Sequence, residues 1–487
     1  MTHKPGAEIS NFGGNVRFRP KFFYAPRTEA EVLDILDRHR SGTIRVFGAR
    51  HSWNPGIVSE DVSVDLRFLD RVETTTDDES RTWATVGGGC PLKVLLQELR
   101  AQADVTLPSM GLITEQSIAG AISTGTHGSG RHSLSHYMEE VRIAAYDPDT
   151  GTAVIHTFSG GPELRAARCA IGCLGIIVSV RFACVPRYVI AERLGPRDDL
   201  DQILDRVGEF PLQQFYLIPH LWSWYSQERR VPDGPARRRR SAWAILYRWY
   251  WLAWLDVSFH LLLKLLTSVF RRQGLVIGFY RTWFPKLILP LGPVADWSED
   301  QLVMEHELFR HVEIELFVPA SRVKAAARYV QEVLEAFAGT TETISAELGD
   351  QLEAIGWRSA LEESMGTFTH HYPICFRLVL PDDTMLSMAG GTVEPYYAIS
   401  FISYTLPLEP FETAATFLAQ TMAVLVDARP HWGKYFPLTG DTVQALYPEL
   451  SEFQALCQRV DPAGVFRNPF VERALGFAPS TTRSPTP

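Results

Sequence analysis

Apolar side chains in the first 190 residues recur with helix and strand spacings. Val32, Ile35 and Leu36 fall on one helix face, and Thr28 followed by Glu31 forms a capping box that predicts where this helix begins. A second helix and six strands are predicted at residues 91–101 and at 44–47, 62–66, 83–86, 141–146, 152–157 and 176–185. This mixture predicts an α+β domain.

The pattern changes beyond residue 189. Strands are predicted at residues 215–219, 311–319, 373–380, 386–389 and 398–404, and helices at 198–210, 321–336 and 410–426. This arrangement is typical of a mostly antiparallel sheet with helices on one face. We therefore predict a second, cap domain of α+β class.

One segment of the cap is rich in Trp, Leu and Phe. It covers residues 243–270, follows four arginines at 237–240, and precedes a basic pair at 271–272. Charged residues interrupt it, so it lacks the roughly 20 uncharged residues of a membrane-spanning helix. Asp256, His260 and Lys264 are four apart, which predicts one polar helix face.

Two interpretations of this segment stay open. A helix lying on a membrane surface with basic flanks would give peripheral contact through residues 237–272. The alternative is a helix packed on the protein beside a solvated basic loop.

Composition narrows the class of protein. A chain of 487 residues exceeds what one core usually supports. The net charge of −9 argues against nucleic acid as the main partner. Six cysteines without paired spacing favour reduced thiols, and the N-terminus lacks the apolar core of a signal peptide. These features predict a cytoplasmic protein, with the membrane contact, if formed, on the cytoplasmic face.

Glycine-rich segments follow several of the predicted strands. Residues 47–52 hold a Gly-Ala turn with His51 near its tip, residues 87–89 are three glycines, and residues 118–130 contain four glycines. Such turns present backbone N–H groups that hold pyrophosphate oxygens. No Gly-x-Gly-x-x-Gly opens a helix after the first strand, which disfavours a Rossmann dinucleotide domain. The segments predict a cofactor cradle.

The motifs together resemble the vanillyl-alcohol-oxidase-type flavoprotein superfamily. The resemblance rests on the order of Gly-x-Arg-His-Ser at 48–52, Gly-Gly-Gly at 87–89, Ala-Gly-x-Ile-x-Thr-Gly-Thr-His-Gly at 119–128 and the segment 171–177. Two C-terminal pieces, His-Trp-Gly-Lys at 431–434 and residues 461–469, are similar to sugar-1,4-lactone oxidases (gulonolactone and arabinonolactone oxidases) and alditol oxidases.

The resemblance implies a two-domain fold. Residues 15–188 would form the FAD-binding α+β domain, and residues 189–425 the cap, with a basic-aromatic insert at about 235–295. Residues 426–476 would return to the flavin, and residues 477–487 would be a disordered tail.

The resemblance also implies how FAD is held. His51 would form a covalent bond to the 8α-methyl carbon of the flavin ring, or alternatively serve as a contact residue only. Residues 172–178 would lie along the adenine, or form a buried strand. The predicted cofactor-binding residues are Phe47, Gly48, Ala49, Arg50, His51, Ser52, Gly120, Ser123, Gly125, Thr126, Gly128, Ser129, Gly130, Gly172, Gly175, Val178, His431 and Lys434.

The substrate side departs from the family pattern. Arg377 matches the arginine of a Glu-x-Arg pair and would grip substrate oxygens, but the glutamate position is Cys375. The histidine expected on the later strand is also absent, and His370, His371 or Glu394 could stand in. Lys434 would stabilise negative charge on the flavin, or His431 and Lys434 would cap a helix. Arg377 and Lys434 are the predicted catalytic residues, and no metal is predicted.

These residues imply an FAD-dependent oxidoreductase that oxidises a CH–OH group of a sugar lactone or polyol. Hydride would pass to flavin N5, and oxygen would accept the electrons to give hydrogen peroxide. The alternative is a membrane-associated dehydrogenase with a different, lipid-linked substrate and another acceptor. A non-catalytic flavin-binding or membrane scaffold is the third interpretation.

Overall fold

The computed structural model describes residues 7–234, 242–270, 272–288, 291–303, 310–404 and 408–479. The arginines at 237–240, Arg271 and the tail residues 480–487 lie outside this range, as do the predictions that concern them.

The N-terminal part contains two larger sheets and two sheets of two short strands each. Its strands are β1 (Ile9–Ser10), β2 (Arg17–Phe18), β3 (Phe22–Tyr24), β4 (Ile44–Phe47), β5 (Val62–Asp65), β6 (Val72–Thr76), β7 (Thr82–Gly87), β8 (Val105–Thr106), β9 (Met138–Tyr146), β10 (Ala153–Phe158), β11 (Ile176–Ala183) and β12 (Val185–Pro186). Strands β3, β5 and β4 form a parallel sheet in that order, and β10, β9, β11, β7 and β6 form an antiparallel one. The two small sheets are β1-β2 and β12-β8.

Four helices accompany these sheets: α1 (Glu29–Arg38), α2 (Leu92–Ala103), α3 (Ile118–Ser123) and α4 (Gly161–Ala167). The predicted cap of α1 is confirmed, because Thr28 Oγ1 accepts a hydrogen bond of 3.2 Å from the Glu31 N–H. The apolar face of α1, formed by Val32, Ile35 and Leu36, is fully buried.

The cap is built on one eight-stranded antiparallel sheet. Its strands are β13 (Val189–Arg197), β14 (Gln214–Ile218), β15 (Ser223–Arg230), β16 (Leu291–Trp297), β17 (Val312–Pro319), β18 (Ile374–Val379), β19 (Tyr396–Ser403) and β20 (Arg429–Pro430). They are ordered β16-β13-β15-β14-β18-β19-β17-β20, so strands distant in sequence become neighbours.

The helices of the cap and C-terminal segment follow in chain order. They are α5 (Leu200–Leu204), α6 (Ala242–Tyr250), α7 (His260–Lys264), α8 (Gln273–Thr282), α9 (Phe284–Leu287), α10 (Ser298–Gln301), α11 (Val323–Phe337), α12 (Ala346–Ala354), α13 (Arg358–Ser364), α14 (Glu409–Leu425), α15 (Gly440–Leu446), α16 (Leu450–Val460) and α17 (Pro469–Leu475). No helix among the described residues combines the length and the apolar character needed to span a bilayer.

Two predicted elements of the cap differ from the structure. The helix predicted at 198–210 is limited to α5, because tighter turns follow it, such as the bond from the Arg206 N–H to the Ile203 carbonyl. The strand predicted at 386–389 is a loop, where Asp382 accepts hydrogen bonds from the Thr384 N–H and the Ser387 hydroxyl.

The C-terminal segment packs back onto the N-terminal part. The Ile44 N–H donates to the Val465 carbonyl at 2.8 Å, and the Arg45 guanidinium donates to the Phe466 carbonyl. Asn468 Nδ2 donates to the Pro55 carbonyl at 2.9 Å. These bonds fix the strand that leads into the His51 turn.

The aromatic insert lies across one end of the cap sheet. Its inner side chains, including Phe259, Leu263, Tyr280 and Phe284, are buried against Ile218 and its neighbours. The predicted polar face is wrong at His260, which is buried while Lys264 is exposed. Wider, π-helical turns at Trp251–Phe259 and Leu265–Phe270 flank α7, so a spacing of four no longer keeps side chains on one face.

Candidate active site

A cavity of about 570 Å³ lies between the N-terminal part and the cap sheet. One wall is made by the turn after β4, the segment around α3, and the loop before β11. The other wall is one face of the cap sheet. The loop after β20 closes the cavity between them.

The turn after β4 presents His51 to the cavity. Arg50 has a left-handed backbone with φ of 61°, which turns the chain sharply after Gly48. A Cβ on Gly48 would lie 1.9 Å from Ser117 Oγ, so only glycine allows this approach to α3. The Phe12 ring stacks on the His51 imidazole at 5.0 Å between centroids.

Most of the predicted cofactor residues line this cavity. They are Phe47, Gly48, Ala49, Arg50, His51, Ser52, Gly120, Ser123, Thr126, Gly172, Gly175, His431 and Lys434. The structure brings them together from four separate parts of the chain. Arg377 lines the same cavity from β18.

Ser129 and Gly130 lie outside the cavity lining and join the two walls instead. The Ser129 hydroxyl donates to the Gln213 carbonyl and accepts from the Leu378 N–H, and the Gly130 N–H donates to the Leu378 carbonyl at 2.6 Å. Gly130 has φ of +72°, and a Cβ there would lie 1.8 Å from the Pro211 carbonyl oxygen. Ser129 and Gly130 therefore hold the N-terminal part against the cap.

Gly125, Gly128 and Val178 also lie outside the lining. Gly125 packs against Met388, and Gly128 against the Met110 carbonyl. Val178 is buried in the core at an irregularity in the pairing of β11 with β9, and its neighbour Ile177 lines the cavity instead. The sequence pattern marked glycine-rich segments as a whole, but only some positions face the cavity.

Two carboxylates that sequence reasoning missed lie on the cap wall. Glu313 and Glu315 alternate along β17 and are both buried. Glu315 pairs with Ser400 across β19, and Ser400 pairs with Cys375 on β18. The available signal was a pair of acidic residues at alternate positions of an otherwise apolar strand, since carboxylates are rarely buried without partners.

Glu315 lies among basic groups. His127 Nε2 is 3.4 Å from Glu315 Oε2, and Arg377 Nη1 is 3.5 Å from Oε1. No described residue donates a hydrogen bond to Oε1. Burial favours the neutral acid, but His127, Arg377 and Lys434 outweigh it and hold the Glu315 pKa well below its ordinary value.

Glu313, by contrast, has both carboxylate oxygens engaged. Lys434 Nζ donates to Oε2 and the Ser400 hydroxyl donates to Oε1. The same ammonium lies 4.3 Å from the centroid of the Trp53 ring. Lys434 therefore enters the cavity as part of an ion pair.

His431 adds a neutral imidazole beside this group. Its Nδ1 accepts a 2.9 Å hydrogen bond from the Gly433 N–H, and burial holds its pKa well below the ordinary value. Donor atoms of His127, Glu315 and His431 lie within 4.8 Å of one another, a spacing that a metal ion also accepts. His431 Nδ1 already accepts the hydrogen bond from Gly433, so it is not available as a ligand atom for a metal ion.

The stand-ins considered for the missing glutamate do not reach the cavity. His371 Nε2 accepts from the Tyr404 N–H at 3.0 Å, and His370 is buried beside it. Glu394 accepts from the Ser321 N–H at 3.0 Å. Cys375 does line the cavity, but burial raises the pKa of its thiol, so the thiol stays protonated and has no site for a further proton.

Beyond the carboxylates, the cavity lining contains two groups of side chains that differ in polarity. The apolar arm is the part lined by apolar and aromatic side chains that pack with the insert, including Ile218, Tyr225, Phe259, Phe284, Ile288 and Tyr372. The polar arm is the part lined by the hydrogen-bonded group of Gln214, Gln227, Arg229, Glu192 and Tyr247.

The polar arm is largely saturated by its own hydrogen bonds. Arg229 Nε donates to Glu192 Oε2 at 2.6 Å, and the Tyr247 hydroxyl donates to Glu192 Oε1. Gln214 Nε2 donates to Gln227 Oε1. Few of these groups remain for a ligand.

Comparison with known proteins gives the family. The model of the D-arabinono-1,4-lactone oxidase family matches residues 180–474, and that of an FAD binding domain matches residues 20–153. The chain belongs to the D-arabinono-1,4-lactone oxidase family. It is an FAD-dependent oxidoreductase that acts on CH–OH groups, as the sequence predicted.

The chain is 44% identical to a long-chain alcohol oxidase from an uncultured marine euryarchaeote, over 96% of this chain and 97% of that protein. It is 25% identical to L-gulono-1,4-lactone dehydrogenase from Mycobacterium tuberculosis, over 96% and 99%. The fold is similar to the cholesterol oxidase structure from B. sterolicum, with a TM-score of 0.71, 15% identity and 97% of each chain covered. The predicted two-domain vanillyl-alcohol-oxidase-type fold is confirmed.

The cavity wall fits the FAD of this family. Glycines at 48, 120, 172 and 175 leave the backbone accessible along one wall, and a side chain at Gly48 would fill the approach to α3. His51, Ser123 and Thr126 supply polar side chains on the same wall.

Proposed function

We propose that this member of the family oxidises the primary hydroxyl group of a long-chain alcohol. The observation that carries the proposal is the apolar arm, which is continuous with the part of the cavity that holds His51 and Arg377. An alcohol could place its hydroxyl beside Arg377 and its chain against Phe259, Phe284 and Ile288. The 44% identical long-chain alcohol oxidase supports this substrate class.

The chemistry of the two arms favours an apolar chain over a sugar lactone. Each buried methylene contributes about 0.8 kcal/mol, whereas a hydroxyl buried without a partner costs about 1–3 kcal/mol. The apolar arm offers few partners for sugar hydroxyls. The polar arm is occupied by the pairs Arg229–Glu192 and Gln214–Gln227.

FAD, once bound, supplies the acceptor for the hydride of the carbinol carbon. The chain's own residues hold the substrate, with Arg377 donating to its oxygen. The Lys434 ammonium lies in the loop after β20, and its positive charge is partly neutralised by the ion pair with Glu313. We further propose that His51 bonds covalently to FAD and that oxygen accepts the electrons.

A chain-length series tests the substrate class. Purified holoenzyme would be mixed with primary alcohols of 4 to 16 carbons, with xylitol and with L-gulono-1,4-lactone. We expect kcat/KM to rise with chain length by up to about fourfold per methylene. Oxygen uptake with peroxide release, compared with reduction of an artificial dye under anaerobic conditions, identifies the acceptor. Faster turnover of L-gulono-1,4-lactone or xylitol than of the alcohols would contradict the proposal and indicate a sugar lactone or polyol as the substrate.

We also propose that the insert contacts a membrane. Nine of the thirteen exposed large apolar side chains of the described residues lie in it: Ile245, Leu246, Trp249, Leu261, Leu265, Val269, Phe270, Leu275 and Trp283. Residues 237–288 contain ten Lys or Arg and one Asp in a chain of net charge −9. Trp249 is both exposed and part of the cavity lining, so this surface adjoins the cavity. An apolar surface with basic flanks fits an anionic lipid surface.

Vesicle binding tests this contact. Replacing Leu261, Leu265 and Val269 with Ser should lower binding to anionic vesicles, and added salt should weaken wild-type binding. Val393→Ser with Val424→Ser removes exposed apolar side chains elsewhere and is the matched control. If wild-type protein does not bind anionic vesicles, the membrane contact is wrong and the insert only packs on the cap.

A further inference from the structure

We infer that Glu315 is the general base that accepts the proton of the substrate hydroxyl group. The family pattern places a carboxylate on the strand of Arg377, but that position is Cys375 here. Glu315 supplies a carboxylate from β17, two strands away, at the same level of the sheet. The inference rests on the proposed function for the identity of the alcohol and applies to any CH–OH substrate in this cavity.

A buried oxygen that accepts no hydrogen bond from the described residues makes Glu315 suitable. Its Oε1 is buried, lies 3.5 Å from Arg377 Nη1, and receives no hydrogen bond from any described residue. An ionised oxygen in this state costs free energy unless a ligand donates to it. A substrate hydroxyl near Arg377 can donate to Oε1 while its oxygen accepts from the guanidinium.

The neighbouring groups are less suited to the role. Both oxygens of Glu313 already accept hydrogen bonds, from Lys434 and Ser400. The Cys375 thiol, being buried, stays protonated and has no capacity to take a second proton. His431 is neutral, but its Nδ1 accepts from Gly433 and its other nitrogen then carries the proton.

The proton step balances with the oxidation. The hydroxyl O–H bond breaks and its proton joins Glu315 Oε1. The electron pair of that bond becomes the second bond of the new carbonyl, and the carbinol C–H pair leaves as hydride, for which bound FAD would be the acceptor. Arg377 stabilises the developing negative charge on the oxygen until the carbonyl forms.

The charged and titratable groups that face Glu315 come from four elements of the structure. They are His127 after α3, Cys375 and Arg377 on β18, His431 and Lys434 after β20, and Glu313 on the same strand. Burial raises the Glu315 pKa, but His127, Arg377 and Lys434 lower it further and favour the ionised form. The lowered pKa means that the base form persists well below the ordinary carboxylate value. Wild-type rate should therefore show no loss from Glu315 as pH falls from 7 to 5.

Single-turnover kinetics test the assignment. Glu315→Gln should slow flavin reduction by about 100-fold or more, and Glu315→Asp should recover part of it. The rate of Glu315→Gln should rise with pH, because hydroxide replaces the missing base, whereas the wild-type rate stays flat. Glu394→Gln makes the same charge change outside the cavity and should match wild type. A rate for Glu315→Gln within threefold of wild type, or an equal loss in Cys375→Ala, would overturn the assignment.

Anion binding gives a readout independent of turnover. An ionised Glu315 repels a carboxylate in the cavity, so Glu315→Gln should bind dodecanoate and acetate about tenfold more tightly in equilibrium dialysis, and Glu394→Gln should not. Unchanged affinity for both anions would contradict an open, charged Glu315.

If only polyols or lactones reduce the wild-type flavin, the proposed substrate is wrong and the Glu315 kinetics are measured with those substrates. If no alcohol reduces it, the proposed function fails and anion binding alone decides on Glu315.

Discussion

The two walls of the cavity are built in different ways. The wall of the N-terminal part, where we expect FAD to bind, uses short consecutive segments, such as Gly48 to His51, in which each turn places neighbouring residues together. The cap wall takes single side chains at alternate positions from separate strands, such as Glu315, Ser400 and Arg377. Local motifs determine the first wall, and strand order determines the second.

This difference separates what relatives can share from what they can vary. A turn that holds a cofactor depends on several adjacent residues at once, so changing any of them disturbs backbone geometry. On the cap sheet, a side chain can be replaced without disturbing its neighbours in sequence. A carboxylate on β17 can therefore take over from the position of Cys375 on β18, and the far end of the sheet can become apolar.

The largest expected effect is on the first wall. His51→Ala should abolish acid-stable flavin, because the covalent bond needs the imidazole nitrogen. Acid precipitation followed by the absorption spectrum of the pellet measures it. His156→Ala, outside the cavity lining and bonded to the Tyr146 carbonyl, should keep the flavin in the pellet. Flavin that survives acid in His51→Ala would contradict the covalent bond.

The contact between the walls is the next test. Gly130→Ala should destabilise the protein by about 3 kcal/mol or more, because a Cβ at positive φ would overlap the Pro211 carbonyl. Gly151 has φ of +66° with nothing within 4 Å, so Gly151→Ala should cost only about 1–2 kcal/mol. Urea unfolding of both variants measures the difference. Equal costs would mean that packing against the cap contributes nothing.

Arg377 tests the cap wall near the reacting atoms. Arg377→Ala should lower the rate of flavin reduction about 100-fold, equivalent to about 2.7 kcal/mol, and raise KM, while the flavin spectrum stays the same. Arg377→Lys keeps the charge without the planar fork and should fall in between. Wild-type reduction rates in Arg377→Ala at all substrate concentrations would show that the cap alignment is wrong.

The apolar arm should give the smallest effect. Ile288→Trp narrows the arm and should lower kcat/KM for dodecanol about tenfold, the contribution of roughly two methylenes, with little change for butanol. Leu287→Trp alters the next residue, which packs in the same cluster but lies outside the cavity lining. A similar loss in both variants would indicate damage to the insert rather than to the arm.

The sequence predicted the family, FAD as the cofactor and the change of architecture near residue 189, because these rest on adjacent residues and local periodicity. It placed Arg377 and Lys434, which line the cavity. It overestimated the cradle: Gly125, Gly128, Ser129, Gly130 and Val178 lie outside the lining, since glycine spacing alone does not say which neighbour approaches.

The tertiary structure alone decided which carboxylate lies beside Arg377 and which residues line the cavity. Glu315 and Cys375 are 60 positions apart and meet only through Ser400 on β19, since antiparallel pairing links strands regardless of chain distance. The apolar arm likewise exists only because the insert folds over Ile218 at the sheet end. Local periodicity fixes elements, but contacts between distant strands depend on how those elements pack.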